Sequence, residues 1–294
     1  MAVPALTALR RSFPEHRVVL ATPGWLAPLV GLIPGVDELA PTDGVQSGPV
    51  GWPAPLDVAV NLHGNGPESR ALLDAAVPAR KIGHRAPGWR GPEWVEELHE
   101  RTRWVRLLEA HGVPGDPGEV ALLVPEAPSA RPGSVVIHVG AAYRSRQWPG
   151  GRFARVAGRL AAAGQPVVLT GDRSDRPRAA AIAARAGLEP GQNLAGTLEL
   201  DDLAALIASA RLVVSADTGA AHLASAYRVP SVVLFGPAPP ERWGPPADGP
   251  HIVLTDAARR RGDVFADRPD PALLAVSAAD VLAAARELGV PPAG

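Results

Sequence analysis

"SADTGAAHLASAYRVPSVVLFGP", Ser215 to Pro237, decides how this 294-residue chain is read. The apolar run "LVVSA" enters an Asp-Thr-Gly turn, an Ala-rich helical pattern follows with His222 on its first turn, and "SVVLFG" comes next. Strand, turn, helix and strand in that order make a βαβ unit of a parallel sheet. The first amides of such a helix lack intrahelical acceptors, and they open at the strand ends where ligands collect. The turn therefore has the makings of an anion site. Gly219, Ala220 and Ala221 let a phosphate approach the backbone, while Thr218 can cap the helix or donate its hydroxyl. Asp217 would repel a phosphate, so it is expected to accept from turn amides or sugar hydroxyls, with His222 donating to a phosphate or sugar oxygen. A capped turn beside a surface histidine explains the same residues, so the motif alone leaves both readings open.

Outward from the motif, the alternation continues. "SVVIHVG", "PVVLTG" and "RLVVSA" read as buried strands; "GRFARVAGRLAAAG", "RPRAAAIAARAG" and "LDDLAALIASA" read as helices. Strands end in Gly, Thr, Ser or Asp before helices, which lines up polar groups along one sheet edge. "HVGAAYRSRQWPGGRFA" places Gly140, Arg144 and Arg146 there, and two guanidiniums at this edge suit a diphosphate, although solvated loop arginines fit as well. "TGDRSD" adds Thr170, Gly171 and the carboxylates Asp172 and Asp175, which serve equally as turn and N-cap residues. Neither an Asp-x-Asp pair nor a histidine cluster suggests a metal, so none is expected.

The first half has the same style. "ALTALRRSF", "WLAPLVGLI" and "ESRALLDAAV" read as helices, "RVVLATP", "LDVAVNLHG" and "RKIGH" as strands, and "EWVEELHERTRWVRLLEAHGV" as one long amphipathic helix. "PEAPSARPG", Pro125 to Gly133, is the linker. The division expected is 1–124, 134–276, and a final helix over 277–294 introduced by the capping box "SAAD". A net charge of −1 argues against nucleic acid as a partner, and the absence of cysteine excludes disulfides and thiolate chemistry and fits a reducing cytosol. No apolar stretch is long enough to span a bilayer. "RRR", Arg259 to Arg261, reads as a solvated loop.

These motifs resemble glycosyltransferase family 9, the ADP-heptose:lipopolysaccharide heptosyltransferases. The Asp-Thr-Gly-x-x-His-Leu-Ala segment and the Leu-Phe-Gly-Pro strand end match the family pattern. "GAAYRSRQWP" is similar to its Gly-Ala…Lys-x-Trp-Pro stretch with Arg146 in place of lysine, and "TGDRSD" to its Gly-x-x-x-Glu loop with Asp175 in place of glutamate. The resemblance implies a GT-B fold, with two Rossmann-like domains facing across a cleft, the acceptor on the N-terminal one and the donor on the C-terminal one. The final helix is then expected to cross back onto the first domain. It implies an inverting, metal-independent transfer of a sugar, a heptose in the family, from a nucleoside diphosphate, with no cofactor beyond an ADP-linked donor. Arg146 and the amides of Thr218, Gly219 and Ala220 would hold the departing diphosphate. Gly140, Arg144, Thr170, Gly171, Asp175, Asp217 and His222 would bind the donor. A glycan, lipid-linked or small-molecule acceptor is implied, in the cytoplasm or at the inner face of the membrane.

In the family a strand and a Gly-Asp loop bearing the general base precede the first helix. This chain begins at "MAVPAL", so the first strand is expected to be missing, and a truncated or misplaced start is the favoured explanation. Of Glu15, His16, Asn61 and His63, His63 is the best substitute base. The rival reading is a catalytically silent sugar-nucleotide-binding or accessory protein, and a nucleotide-sugar epimerase is a third.

Overall fold

The computed structural model describes residues 1–46, 52 and 55–294. The chain divides into two units, Met1–Leu123 and Val124–Gly294, and the segment expected as linker starts the second. The first unit contains α1 (Val3–Ser12), β1 (Val19–Thr22), α2 (Ala27–Val30), β2 (Glu38–Pro41), β3 (Val58–Val60), α3 (Pro67–Ala75), β4 (Arg80–Ile82) and α4 (Glu100–Glu109). Strands β1 and β2 pair in parallel, as do β3 and β4, and among the described residues these are two separate sheets. Helices α1 and α4 pack together, and Leu9, Trp104, Leu107 and Leu108 form a core with Ile82 of β4. Strand β2, "ELAP", has no β-branched residue and ends in proline, which is why its sequence carries no strand signal.

The long helix expected over 93–113 is shorter, because Arg103 competes for the backbone of its first turns. The fully buried guanidinium takes the carbonyl oxygens of Val95, Glu96 and Leu98, stacks on Trp94 at 3.9 Å and pairs with Glu100 at 2.8 Å. Arg103 supplies donors to these carbonyls where a helical ladder would otherwise do so. Residues 93–99 therefore wrap around it, and the helix starts only after His99, whose ring accepts the Arg101 amide.

The second unit contains β5 (Val135–His138), α5 (Gly150–Ala162), β6 (Val167–Thr170), α6 (Arg176–Ala186), α7 (Leu200–Ala208), β7 (Leu212–Ala216), α8 (Gly219–Ala226), β8 (Ser231–Leu234), α9 (Pro240–Trp243), β9 (His251–Leu254), α10 (Pro271–Ala275) and α11 (Ala278–Glu287). Its five strands are parallel in the order β6-β5-β7-β8-β9. Buried valines, leucines and isoleucines fill both faces, as a sheet covered by helices requires. From β5 the chain crosses to β6 on one side, then returns to β7 on the other, so the switch point lies between β5 and β7. Register places His138 opposite both Thr170 and Ser215 at the carboxyl edge.

Helix α11 begins at the expected capping box: Asp280 N–H donates to Ser277 Oγ, and Ser277 N–H donates to the Asp280 carboxylate at 2.8 Å. It packs on α5, β8 and β9.

Removing the Arg103 guanidinium leaves Glu100 and three carbonyls without their donor. Arg103→Ala is expected to destabilise the first unit by about 3 kcal/mol, read as a lower urea midpoint of its unfolding.

Candidate active site

The strand-to-helix turn after β7 leaves the start of α8 uncapped. Thr218 occupies the N-cap position, but its side chain makes no capping bond. Its Oγ1 instead lies 2.8 Å from Ser215 Oγ, so the hydroxyl turns back to the strand. The amides of Ala221 and His222 reach the Thr218 carbonyl, whereas those of Gly219 and Ala220 precede any intrahelical acceptor. A Cβ on Gly219 would meet nothing within 4 Å. The helix end thus has no side-chain cap, and its dipole favours an anion there.

Across the switch point, the loop after β5 is tied down at several places. Trp148 is fully buried and donates from Nε1 to the Val276 carbonyl at 3.0 Å. Ser145 is also buried; its amide donates to Ala266 O and its hydroxyl to Val264 O at 2.6 Å, while its carbonyl accepts from Asp270 N. Between these anchors Arg146 can only project over the entrance to α8. Its Nη1 stands 3.3 Å from Asp217 Oδ2 and 3.4 Å from the Asp217 carbonyl oxygen, and its buried Nε has no hydrogen-bond acceptor. Arg144, two residues earlier in the same short turn, is exposed.

Asp217 is the electrostatic centre. It is only 6% exposed, and burial raises its carboxyl pKa above the ordinary value while Arg146 pulls it back down. Its carboxylate lies against Arg146 on one side and 3.8 Å from His222 Nε2 on the other. The sequence suggests that turn amides or sugar hydroxyls donate to Asp217; within the protein its carboxylate has Arg146 and His222 as neighbours. A shallow crevice continues from Asp217 and His222 past Ala221 to Phe235 and Trp243.

A third loop, after β6, brings Asp175 to the same edge. Asp172 folds an Asx turn, accepting from the Ser174 amide and hydroxyl and from the Asp175 amide, and the Ser174 hydroxyl lowers its pKa first of all. Asp175 is buried, which raises its pKa, and Oδ2 accepts from the Asp172 amide at 3.0 Å. It threads between two glycines: a Cβ on Gly140 would lie 2.1 Å from Asp175 Oδ2, and one on Gly171 would lie 2.8 Å from Asp175 Cβ. Thr170 is buried, with Oγ1 turned to His138 Nδ1 at 3.1 Å.

The second unit therefore gathers Gly140, Arg144, Arg146, Thr170, Gly171, Asp175, Asp217, Thr218, Gly219, Ala220 and His222 along one sheet edge. His63 lies in the first unit, exposed beyond the carboxyl end of β3, with its amide on Asn61 Oδ1. "RRR" is not simply solvated: Arg260 donates from Nε to Gly236 O at 3.0 Å, Arg259 pairs with Asp256, and the Arg261 amide rests on buried Asp270. Gly236 needs a capped carbonyl at the end of β8, and Arg260 supplies the donor. Sequence reasoning overlooked His138 and Asp270. The former was legible as a polar strand end in "VVIHVG"; the latter as an Asp-Pro N-cap before "ALLA".

The sequence profile of glycosyltransferase family 9 (heptosyltransferase) matches residues 117–263, half of the chain. This chain belongs to glycosyltransferase family 9. It is 35% identical over 153 residues to lipopolysaccharide heptosyltransferase 1 of Pseudomonas aeruginosa, a match covering 50% of this chain and 42% of that protein. The chain thus matches less than half the length of that curated relative. Its fold matches the solved Escherichia coli ADP-heptose lps heptosyltransferase II (TM-score 0.73, 21% identity, 97% of this chain and 93% of that one). It also matches E. coli heptosyltransferase WaaC with ADP (TM-score 0.68, 18% identity, 98% and 95%). The parallel α/β construction is that of the GT-B heptosyltransferases in this family. Among the described residues no helix is long and apolar enough to cross a membrane.

Because the folded pKa of Asp217 lies above its unfolded value, the native state binds the proton more tightly between the two. The ionised carboxylate therefore lowers stability once pH rises through the folded pKa, and the native state is relatively favoured below the unfolded one. Asp217→Asn is expected to melt at a higher temperature than wild type at pH 7, with the gain shrinking to nothing near pH 3.5, as followed by calorimetry across pH.

Proposed function

We propose that this family 9 member is an inverting glycosyltransferase that moves a heptose from an ADP-linked donor to a hydroxyl of a glycan or lipid-linked saccharide. The observation that carries the reading is the pairing, at one switch point, of uncapped α8 amides with a guanidinium whose Nε has no acceptor in the protein. The guanidinium reaches Asp217, the residue just before the helix N-cap, and a Cβ on Gly219 would meet nothing within 4 Å. As the C1–O bond breaks, negative charge grows on the diphosphate. Donors already in place stabilise that charge without reorganising, and they do so without needing a carboxylate-bound ion. Asp217 orients Arg146, Arg144 supplies a second cation, and Asp175 and His222 take ribose and phosphate oxygens, with Gly140 and Gly171 giving Asp175 its passage.

For the acceptor proton, this chain offers His63 as its candidate base, with attack on C1 from the face opposite the diphosphate. The work is placed in the cytoplasm, at the inner face of the membrane where the acceptor is lipid-linked. The deciding experiment is a transfer assay with ADP-heptose and a heptose-deficient lipopolysaccharide core, reading ADP release. Arg146→Ala is expected to lower turnover about a hundredfold or more, far beyond the modest fall in melting temperature that comes from depriving Asp217 of its partner. Equal loss of activity and stability would instead make Arg146 a structural residue. Turnover undiminished in His63→Ala would place the base elsewhere.

Gly219 separates fold from ligand. With nothing within 4 Å of its Cβ position, Gly219→Val is expected to leave stability within about 0.5 kcal/mol of wild type. Its branched side chain would nevertheless obstruct the anion, lowering ADP affinity about tenfold by calorimetric titration.

A further inference from the structure

Among the described residues, the fold leaves two of the chain's phenylalanine and tyrosine rings exposed, and they stand together beside the proposed donor site. Of the four phenylalanines and two tyrosines, Phe265 is 71% exposed and Tyr143 42%, whereas Phe153 and Phe235 are buried and Phe13 and Tyr227 half-buried. The exposed rings meet edge to face, 5.0 Å between centroids and 88° between planes. Both are carried on anchored backbone. Tyr143 O accepts the Arg146 amide at 3.1 Å, one tight turn from the guanidinium. Phe265 sits between Val264 and Ala266, whose carbonyl oxygens hold buried Ser145, and its own amide donates to Asp263 Oδ1 at 2.9 Å. Held in water rather than in a core, the two rings add little to folding.

Their place along the sheet edge bears on what meets them. The strand order is β6-β5-β7-β8-β9, and the proposed diphosphate site lies at the turns after β5 and β7. Asp175, to which the ribose is assigned above, follows β6, on one side of that centre. The segment bearing Phe265 arrives from the other side: Arg260 ties it to the carbonyl oxygen of Gly236 after β8, and the Asp270 amide closes it on Ser145 O. A donor lying along this edge, with its ribose toward β6 and its phosphates at α8, carries its sugar rather than its adenine toward the aromatic pair. The chemistry suits a sugar ring. One face of a pyranose presents C–H groups, which the electron-rich face of an aromatic ring attracts. Its rim presents hydroxyls, and Arg144, Asp263 and Asp267, exposed close to the two aromatics in sequence, offer donors and acceptors for them.

Resting on the reading that an ADP-linked donor binds at α8, we propose that Tyr143 and Phe265 form a subsite for the donor's sugar, with an aromatic face stacked on the C–H face of the heptose ring. The test is calorimetric titration of the full chain, in the absence of acceptor, with ADP and with ADP-heptose. Phe265→Ala and Tyr143→Ala are each expected to weaken ADP-heptose binding about fivefold while leaving ADP affinity unchanged. Phe265→Tyr keeps the ring and should bind both ligands as wild type does. Phe265→Leu keeps bulk without the ring and should lose most of what the alanine variant loses, which keeps the test decisive if an alanine variant folds poorly. Equal losses for ADP and ADP-heptose overturn the proposal. So does ADP-heptose affinity that neither alanine variant changes, even where the KM for the acceptor rises. Failure of the folded wild type to bind ADP at all would instead overturn the donor reading beneath it.

Discussion

The burial of Trp148 is the constraint on which the site depends. The indole fills the core beneath β5, meets Phe153 edge to face at 4.8 Å, and spends its only donor on the Val276 carbonyl. Burying so large a ring contributes several kcal/mol, and it fixes the chain on both sides of it. Arg178 of α6 adds to the restraint, reaching the Val139 and Trp148 carbonyl oxygens. With Ser145 pinned to the 264–270 segment, Arg146 has little freedom left. A guanidinium on a mobile loop would lose much of its effect to ordering entropy; on this loop the ordering is already supplied by folding.

The other half of the site follows from the same parallel register. Ser215, the penultimate residue of β7, draws the Thr218 hydroxyl backward and so removes the side chain that would ordinarily cap α8. A capped helix would be more stable, typically by about 1 kcal/mol, but its amides would be occupied. Asp270 shows the contrasting choice. Buried at the start of α10, it caps that helix through Ala272 N and holds the Arg261 and Gly262 amides as well, stiffening the segment against which Ser145 is anchored. One helix start is closed by a side chain that supports the loop, while the other has no side-chain cap.

Legibility in the sequence tracks how local each decision is. The second unit could be read almost element by element because each buried strand is a short β-branched run, and glycine or a polar residue marks its end. Capping boxes and the Asp-Thr-Gly turn are equally local, and so the starts of α8 and α11 are legible in the sequence. Strands β2 and β9 escaped notice: "ELAP" lacks β-branched residues, and "HIVL" opens on a histidine whose place in the sheet is set by pairing with Ser231 at 2.9 Å. The shortened α4 was hidden for a different reason. Its periodicity is sound, but a buried arginine diverts the carbonyl groups of the first turns, and no pattern of apolar residues records that competition. The partner of Asp217 was likewise out of reach, since Arg146 lies 71 residues away in the chain.

What the second unit gives up in stability concerns the same few groups. Asp217 ionises against its own burial, Arg146 Nε is buried without an acceptor, and Gly219 adds backbone entropy without a packing reason. Each is a local departure from what folding alone would favour, and all three lie within a few residues of the switch point. Asp175 adds a fourth, its carboxyl pKa raised by burial and its side chain packed so closely on Gly140 and Gly171 that neither has room for a Cβ. Unfavourable choices scattered over a structure suggest tolerance of drift, but their concentration at one sheet edge has a simpler cause. These are the groups that the proposed donor site uses, and under that proposal binding compensates what each gives up.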